Sequence, residues 1–404
     1  MYPIMRESEM MVIPQEVLEE RIERARDLAA ERGLAALVLC SASRAGGAGQ
    51  SGGNTAYFLG YSTFNGAVAL LIPAQGRPIA FGPGSNEKRM FRARVSTMAE
   101  VRQAADFGAG IAQALDELGI REDAPIGLAG RPDLPVRIER NIVARLPRLI
   151  DVDAAVHKLR EIVHPADVAL QREASRISDL MIARAFQAAV EPGMTPARLM
   201  AEVEFAGRAL EAESARLWLA VGPNPPITSF EYFELASTIS PGDRVQLGTT
   251  VCVEGHFTQG LRMAILGEPS RDLSKAAETL IGIQDAALAV MAPGKPAHLI
   301  SDVLEGLIDA NCPYTRQTDP FRFQSCHQLG LDYSDPPLAY ALSASRDKRL
   351  DAQGPLLSVG QVVEIHPNYN LPGLGHVCAG DAAVVTETGA EWLTRYPRGL
   401  AVLG

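Results

Sequence analysis

Among the seven histidines of this 404-residue chain, His327 stands where chemistry is easiest to imagine, in "FQSCHQLGLDYSDPP" (Phe323 to Pro337). One histidine followed by a Gly-Leu-acid run and a proline pair has the cadence of a metallohydrolase strand. Yet a lone imidazole cannot hold a catalytic metal. Histidine also suits proton transfer, since its unperturbed pKa of about 6.5 lies near working pH. A positioned acid–base group contributes on the order of 10²–10⁴-fold. Three more histidines sit in strand-like stretches: His256 in "VEGHFTQGLRM", His366 in "EIHPNY" and His376 in "GHVCAGD". Side chains two apart on a strand share a face. If His327 faces a site, Cys326 and Gln328 therefore face away, and Cys326 reads as a core thiol. By the same rule His366 shares a face with Glu364 and Asn368, and His376 with Cys378 and Gly380. His157, His164 and His298 fall on helices or linkers and read as surface residues.

The elements that would position these groups are legible in outline. Val17, Leu18, Ile22, Ala25, Leu28 and Ala29 recur at helical spacing, with Gly33 as the stop. "LAALVLC" follows as a buried strand, and "SASRAGGAGQSGGN" (Ser41 to Asn54) as a glycine-rich loop without a phosphate-binding fingerprint. "TAYFLGY" reads as a strand, Arg102 to Leu118 as a helix. Alternating strands and helices over 1–155 predict an N-terminal α/β domain. In 156–404, paired helices (from Pro165 to Val190, and about Pro196 to Ala212) precede strands near 217–221, 244–255 and 259–266. Further helices near 273–290 and 297–310 and strands near 323, 362 and 382 predict an antiparallel-rich α+β domain.

Composition bounds the rest. Apolar residues make up 47% and charged residues 21%, as in ordinary globular proteins. A net charge of -10 argues against nucleic acid or an anionic membrane as partner. Five scattered cysteines suit free thiols in a reducing compartment. The N-terminus lacks the apolar core of a signal peptide, so a cytoplasmic protein is the expectation.

In order along the chain, "TAYFLGY", "KLREIVHPADVALQREASRISD", "EPGMTPARLMAEVE", "SPGDRVQLGTTVCVEGHFTQGLRMAILGEP", "CHQLGLDYSDPPL", "VGQVVEIHPNYN" and "GDAAVVTETGAEWLTRYP" resemble the creatinase/prolidase/aminopeptidase P family. The resemblance implies a C-terminal pita-bread fold behind a creatinase-type N-terminal domain, and a homodimer. Metallopeptidases of that family hold two metal ions with two Asp, one His and two Glu. Carried over position by position, that set falls on Gly248, Gln259, His327, His366 and Gly380. Only the histidine is kept, so the expectation is a site with no metal and no cofactor. What remains is the analogy with metal-independent members such as creatinase, which hydrolyse C–N bonds of small nitrogen compounds.

His327 and His366 are then the expected catalytic pair. His256, Gln259, Arg262, His376 and Cys378 are expected to bind substrate, with Glu231 and Tyr232 from the loop "SFEYFEL" and Asp335 from "DYSDPP". Asp335 also reads as a structural anchor. Alternatives stay open. One is a single metal on His256, His327 and His366, serving a hydrolase or lyase. Others are covalent catalysis by Cys378 with His376 or His366 as base, and a catalytically inactive binding protein of the same fold.

Overall fold

The computed structural model describes residues 12–42, 52–61, 66–82, 98–225, 237–319, 322–338, 342–343 and 354–404. The chain divides into two compact units, Met1–Asp167 with Leu331–Tyr333, and Val168–Gly330 with Ser334–Gly404.

The first unit is built on a six-stranded sheet. Its strands are β1 (Ala36–Ala42), β2 (Ala67–Pro73), β3 (Ile79–Gly82), β4 (Glu100–Gln103), β5 (Ile126–Ala129) and β6 (Leu149–Asp151), in the order β4-β3-β2-β1-β5-β6. β1 is buried along its whole length, as its unbroken apolar run predicts. Helix Gln15–Glu31 buries Val17, Leu18, Ile22, Ala25 and Ala29, and Gly33 follows at φ 64°, the left-handed conformation that glycine takes without steric cost.

Two sequence expectations change here. "TAYFLGY" is not a strand: Gly53–Leu59 forms a helix that ends at Gly60 in the left-handed region. Burial of every one of its residues outweighs the β-preference of its aromatics. The expected helix at Arg102 to Leu118 begins only at Phe107, where Asp106 caps it by accepting from the Ala109 N–H; Arg102 lies in β4. Within this unit Arg160 donates to Asn54 and Asp332 at 2.8 Å each. Asp332, the first acid of the "GLDYSD" run, is thereby committed to structure.

The second unit carries an eight-stranded sheet in the order β10-β11-β14-β9-β8-β7 on its main path. These are β7 (Ser214–Gly222), β8 (Arg244–Val253), β9 (His256–Leu266), β10 (Cys326–Leu329), β11 (Val362–Ile365) and β14 (Gly380–Val385). β12 (Asn368–Leu371) and β13 (Gly375–Cys378) form a separate ribbon, while β15 (Ala390–Trp392) and β16 (Leu400–Leu403) pair with β14 and β9. A two-residue turn joins β8 to β9, with Glu254 at φ 45° and Gly255 at φ 80°. Positive φ at both turn residues matches the twist of the flanking strands and fixes the register that pairs Thr250 with Gln259.

Helices Pro165–Ala189 and Pro196–Ala209 pack on β7, β8 and β9 through Ile182, Val203, Leu217, Val245, Leu247 and Ala264. Helices Arg271–Ala289 and His298–Asn311 pack on β11 and β14 through Leu280, Ile283, Leu304, Val363, Ile365 and Ala383. Both helix pairs therefore cover one face of the sheet. Cys326 lies in this core, as strand alternation predicts. His157, His164 and His298 are half-buried rather than exposed.

Candidate active site

The opposite face of the sheet gathers the residues of interest. Cross-strand pairs share a face: His327 stands opposite Glu364, Glu364 opposite Ala382, Gly380 opposite Leu261, and Thr250 opposite Gln259. Gln259, His327, Glu364 and Gly380 thus project from one surface, and His366 follows immediately after β11.

His327 is held from both sides. Its Nε2 lies 3.0 Å from Gln259 Oε1, and its Nδ1 donates to the Gln328 carbonyl at 3.1 Å. The His366 ring meets the His327 ring edge-on, centroids 5.2 Å apart, and stacks on Phe323 at 5.3 Å. Phe323 in turn lies 5.4 Å from His376. His327, His366, Phe323 and His376 therefore form one continuous aromatic row. Asn368 fixes its geometry: its side-chain oxygen accepts from the Phe323 N–H at 3.1 Å, and its amide donates to the carbonyls of Gln324 and His366.

His366 differs from its neighbours. It is 2% exposed, and neither ring nitrogen has a hydrogen-bond partner. Burial, with His327 beside it, holds its pKa well below the usual histidine range, so the ring is neutral at working pH. His376 is completely satisfied by contrast: Nδ1 meets the Gln246 amide at 2.8 Å and Nε2 faces Asn368 at 3.4 Å. Burial is the main cause that takes its pKa down to about 3.

Several expected contacts are placed elsewhere. Arg262 points to the helix-covered face, where it pairs with Asp381 at 2.6 Å and donates to the carbonyls of Leu261, Gly380, Tyr396 and Pro397. Gln284 and Thr394 bind the same carboxylate. Arg262 is a structural ion pair, not a substrate ligand, because an odd spacing from Gln259 puts it on the other side of β9. His256 lies on that side too, beside the turn, with Nδ1 2.9 Å from the Glu254 carbonyl. Cys378 is buried with its thiol pushed up to about 12 by desolvation, which opposes the thiolate a nucleophile needs. Asp335 packs its carboxyl over Gly330, so closely that no Cβ could be accommodated there, and its N–H donates to the Gln328 carbonyl. That is the anchor reading of Asp335. Glu231 and Tyr232 lie outside the described residues.

Two groups on the site face are not among the expected site residues, although strand alternation already sets one of them, Glu364, on the face of His366. Glu364 is completely buried, and neither carboxyl oxygen has a partner. Its signal is a single acid inside the apolar strand "VVEI". Arg244 is 1% exposed, donates to the carbonyls of Leu374 and His376, and is lowered to about 10 by burial. The only hint was a charge opening a strand whose residues are otherwise buried.

The side chains present do not fit a dinuclear metal centre. The five positions that the resemblance implies hold two glycines, a glutamine and two histidines. Among the described residues no three His, Cys, Asp or Glu side chains stand close enough to hold one metal ion, so His256, His327 and His366 are not gathered for one either.

Comparison with known proteins accords with this architecture. Residues 169–387 match Metallopeptidase family M24, and residues 21–162 match the Creatinase/Prolidase N-terminal domain. An uncharacterized peptidase, YqhT, of Bacillus subtilis is 24% identical over 63% of this chain and 68% of its own length. An Xaa-Pro dipeptidase of Pyrococcus furiosus is 23% identical over 62% of this chain and 67% of its own. Among solved structures, an Xaa-Pro dipeptidase from Bacillus anthracis superposes with TM-score 0.75 at 21% identity, covering 96% of this chain and all of that one. An X-Pro aminopeptidase from Thermotoga maritima gives 0.76 at 20% identity, over 95% and 99% of the two chains. At that identity the likeness shows the pita-bread fold. No helix among the described residues is long and apolar enough to cross a membrane. The chain belongs to metallopeptidase family M24, a family of hydrolases, and carries the creatinase/prolidase N-terminal domain in front of its pita-bread domain.

Proposed function

We propose that this protein hydrolyses a C–N bond in a small nitrogen-containing compound through its own acid–base groups, without the family's pair of metal ions. The observation that carries this reading is the refilled site: where metal-binding carboxylates are expected, Gln259 instead meets His327 at 3.0 Å and the His366 ring meets the same imidazole edge-on. With Nδ1–H given to the Gln328 carbonyl, a neutral His327 carries its lone pair on Nε2. That nitrogen takes the proton of an attacking water once the Gln259 amide turns aside. His366, neutral and with both nitrogens unengaged, polarises the scissile group. A ring without competing partners donates its full hydrogen-bonding capacity to whatever binds. Gln259 orients the substrate or water. A homodimer belongs to the same proposal.

The test uses purified protein assayed on a panel of amides, lactams, cyclic amidines and the dipeptide Ala-Pro, with and without chelator. The expected result is turnover of a non-peptide member that chelator leaves unchanged and that His327→Ala and His366→Ala each lower by at least about 10²-fold. Chelator-sensitive cleavage of Ala-Pro, with a transition metal present in stoichiometric amount, overturns the reading. So does full activity in both alanine variants.

A further inference from the structure

Gly380 occupies the position where the resemblance implies the last acidic ligand, and the space beside it is not empty. A Cβ built on Gly380 would lie 2.6 Å from Glu364 Oε1 and 2.5 Å from Leu261 Cδ1, closer than real Cβ atoms come. The carboxyl of Glu364 thus fills the volume in which a side chain from position 380 would begin. It arrives from the neighbouring strand, since β11 and β14 pair with Glu364 opposite Ala382. It also stands directly across from His327 in the β10–β11 pair.

Glu364 and His366 together leave four buried polar atoms without a hydrogen bond, all on the site face. A buried polar group left without a hydrogen bond destabilises the fold, because its lost hydration is not replaced. Native folds keep such groups chiefly where function requires them. A valine or threonine at position 364 would preserve the strand without that penalty, so packing gives no reason for the glutamate.

We propose that Glu364 supplies the carboxyl group that position 380 lacks, and that it is the proton donor to the leaving nitrogen. The assignment rests on the hydrolase reading above and names a catalytic group that reading left open. As His327 takes a proton from water, the water oxygen bonds to the carbon. The C–N electron pair passes to nitrogen, which takes the Glu364 proton and departs. The resulting carboxylate regains its proton from His327, directly or through water, and both groups return to their starting state. The environment suits the role. Desolvation first, and the Asp381 charge second, raise the Glu364 pKa well above the carboxylate range. A carboxylic acid kept neutral in this way is a hydrogen-bond donor at neutral pH.

Two independent readouts decide the assignment. Infrared difference spectra of the wild type against Glu364→Gln, at neutral pH in H2O and D2O, report the carbonyl stretch of a protonated carboxylic acid. The expected result is one such band, lost in the variant; its absence overturns the assignment whatever the activity. In the assay panel, Glu364→Gln is expected to lower kcat on the order of 10²–10⁴-fold with little change in KM, and Glu364→Asp to restore part of it. Glu364→Leu tests a purely structural role: wild-type turnover in a folded leucine variant overturns the donor role even if the band is present. Should the wild type turn over nothing in the panel, the hydrolase reading fails and the donor role falls with it. The infrared band then decides whether Glu364 is the neutral acid at the Gly380 position.

Discussion

Gln259 Oε1 and His327 Nε2 face each other at 3.0 Å while Nδ1 of the same ring donates to the Gln328 carbonyl. These contacts tie the orientation of the amide to the charge of the ring. A protonated ring donates from both nitrogens, and Gln259 Oε1 accepts from Nε2–H in the orientation found. A neutral ring has only a lone pair at Nε2, so the amide must rotate to offer its NH2. Gln259→Glu fixes the first arrangement, because a carboxylate cannot donate. An opposite charge at this range favours the imidazolium form. The expected outcome is an upward shift of the His327 titration in ring-nitrogen NMR and a matching alkaline displacement of the activity profile. An unchanged titration would show that the two side chains are not coupled.

His366 separates stability from function. Its ring packs on Phe323 at 5.3 Å, yet its nitrogens bind nothing. His366→Phe keeps the aromatic row and removes two unsatisfied atoms. It is expected to melt no lower than wild type, with a gain on the order of 1 kcal/mol, while turnover falls on the order of 10²-fold. Calorimetry beside the assay checks both halves. A destabilised variant would mean that a bound water or ligand satisfies the ring in solution.

Much of this site is legible in the sequence, and the part that is not has a physical reason. Strand alternation placed Cys326 in the core and put Glu364 on the face of His366, because a period of two depends on nothing beyond the strand. Arg262 is legible by the same rule, since its odd spacing from Gln259 sets it on the opposite face of β9, whereas the family resemblance implies a site residue there. "TAYFLGY" failed as a strand because burial on all sides is a tertiary fact that local propensity cannot carry. The role proposed for Glu364 depends on its carboxyl filling the space beside Gly380, and only the register between β11 and β14 brings those two positions together.

Stability should fall on the acid side through the buried histidines. His366 is depressed well below, and His376 to about 3, whereas both titrate near 6.5 when unfolded. Between those limits the unfolded chain binds more protons, so stability is full above about pH 6.5 and declines as pH falls below it. Glu364 has the opposite sign. Its raised pKa means the folded state holds the extra proton, so its contribution declines as pH rises above the unfolded value. Urea midpoints across pH 5 to 9 are expected to lose part of the acid slope in His376→Asn and part of the alkaline slope in Glu364→Gln. Identical profiles in all three proteins would remove both assignments.

Arg262 and Asp381 form the most committed polar contact beneath the site, each 1% exposed in its side chain. Removing one partner leaves a charge in an apolar layer, and such losses cost about 3–5 kcal/mol. Asp381→Asn still meets Gln284 and Thr394 but strands the guanidinium, so it is expected to be strongly destabilised. The double variant Arg262→Met, Asp381→Leu removes both charges and is expected to recover most of that loss, since well-packed apolar residues of similar volume often replace a buried pair at little cost. If Arg262 instead contacts substrate, the double variant will refold but its KM will rise. Recovery of the melting temperature with KM unchanged is the outcome that keeps Arg262 on the structural side of the sheet.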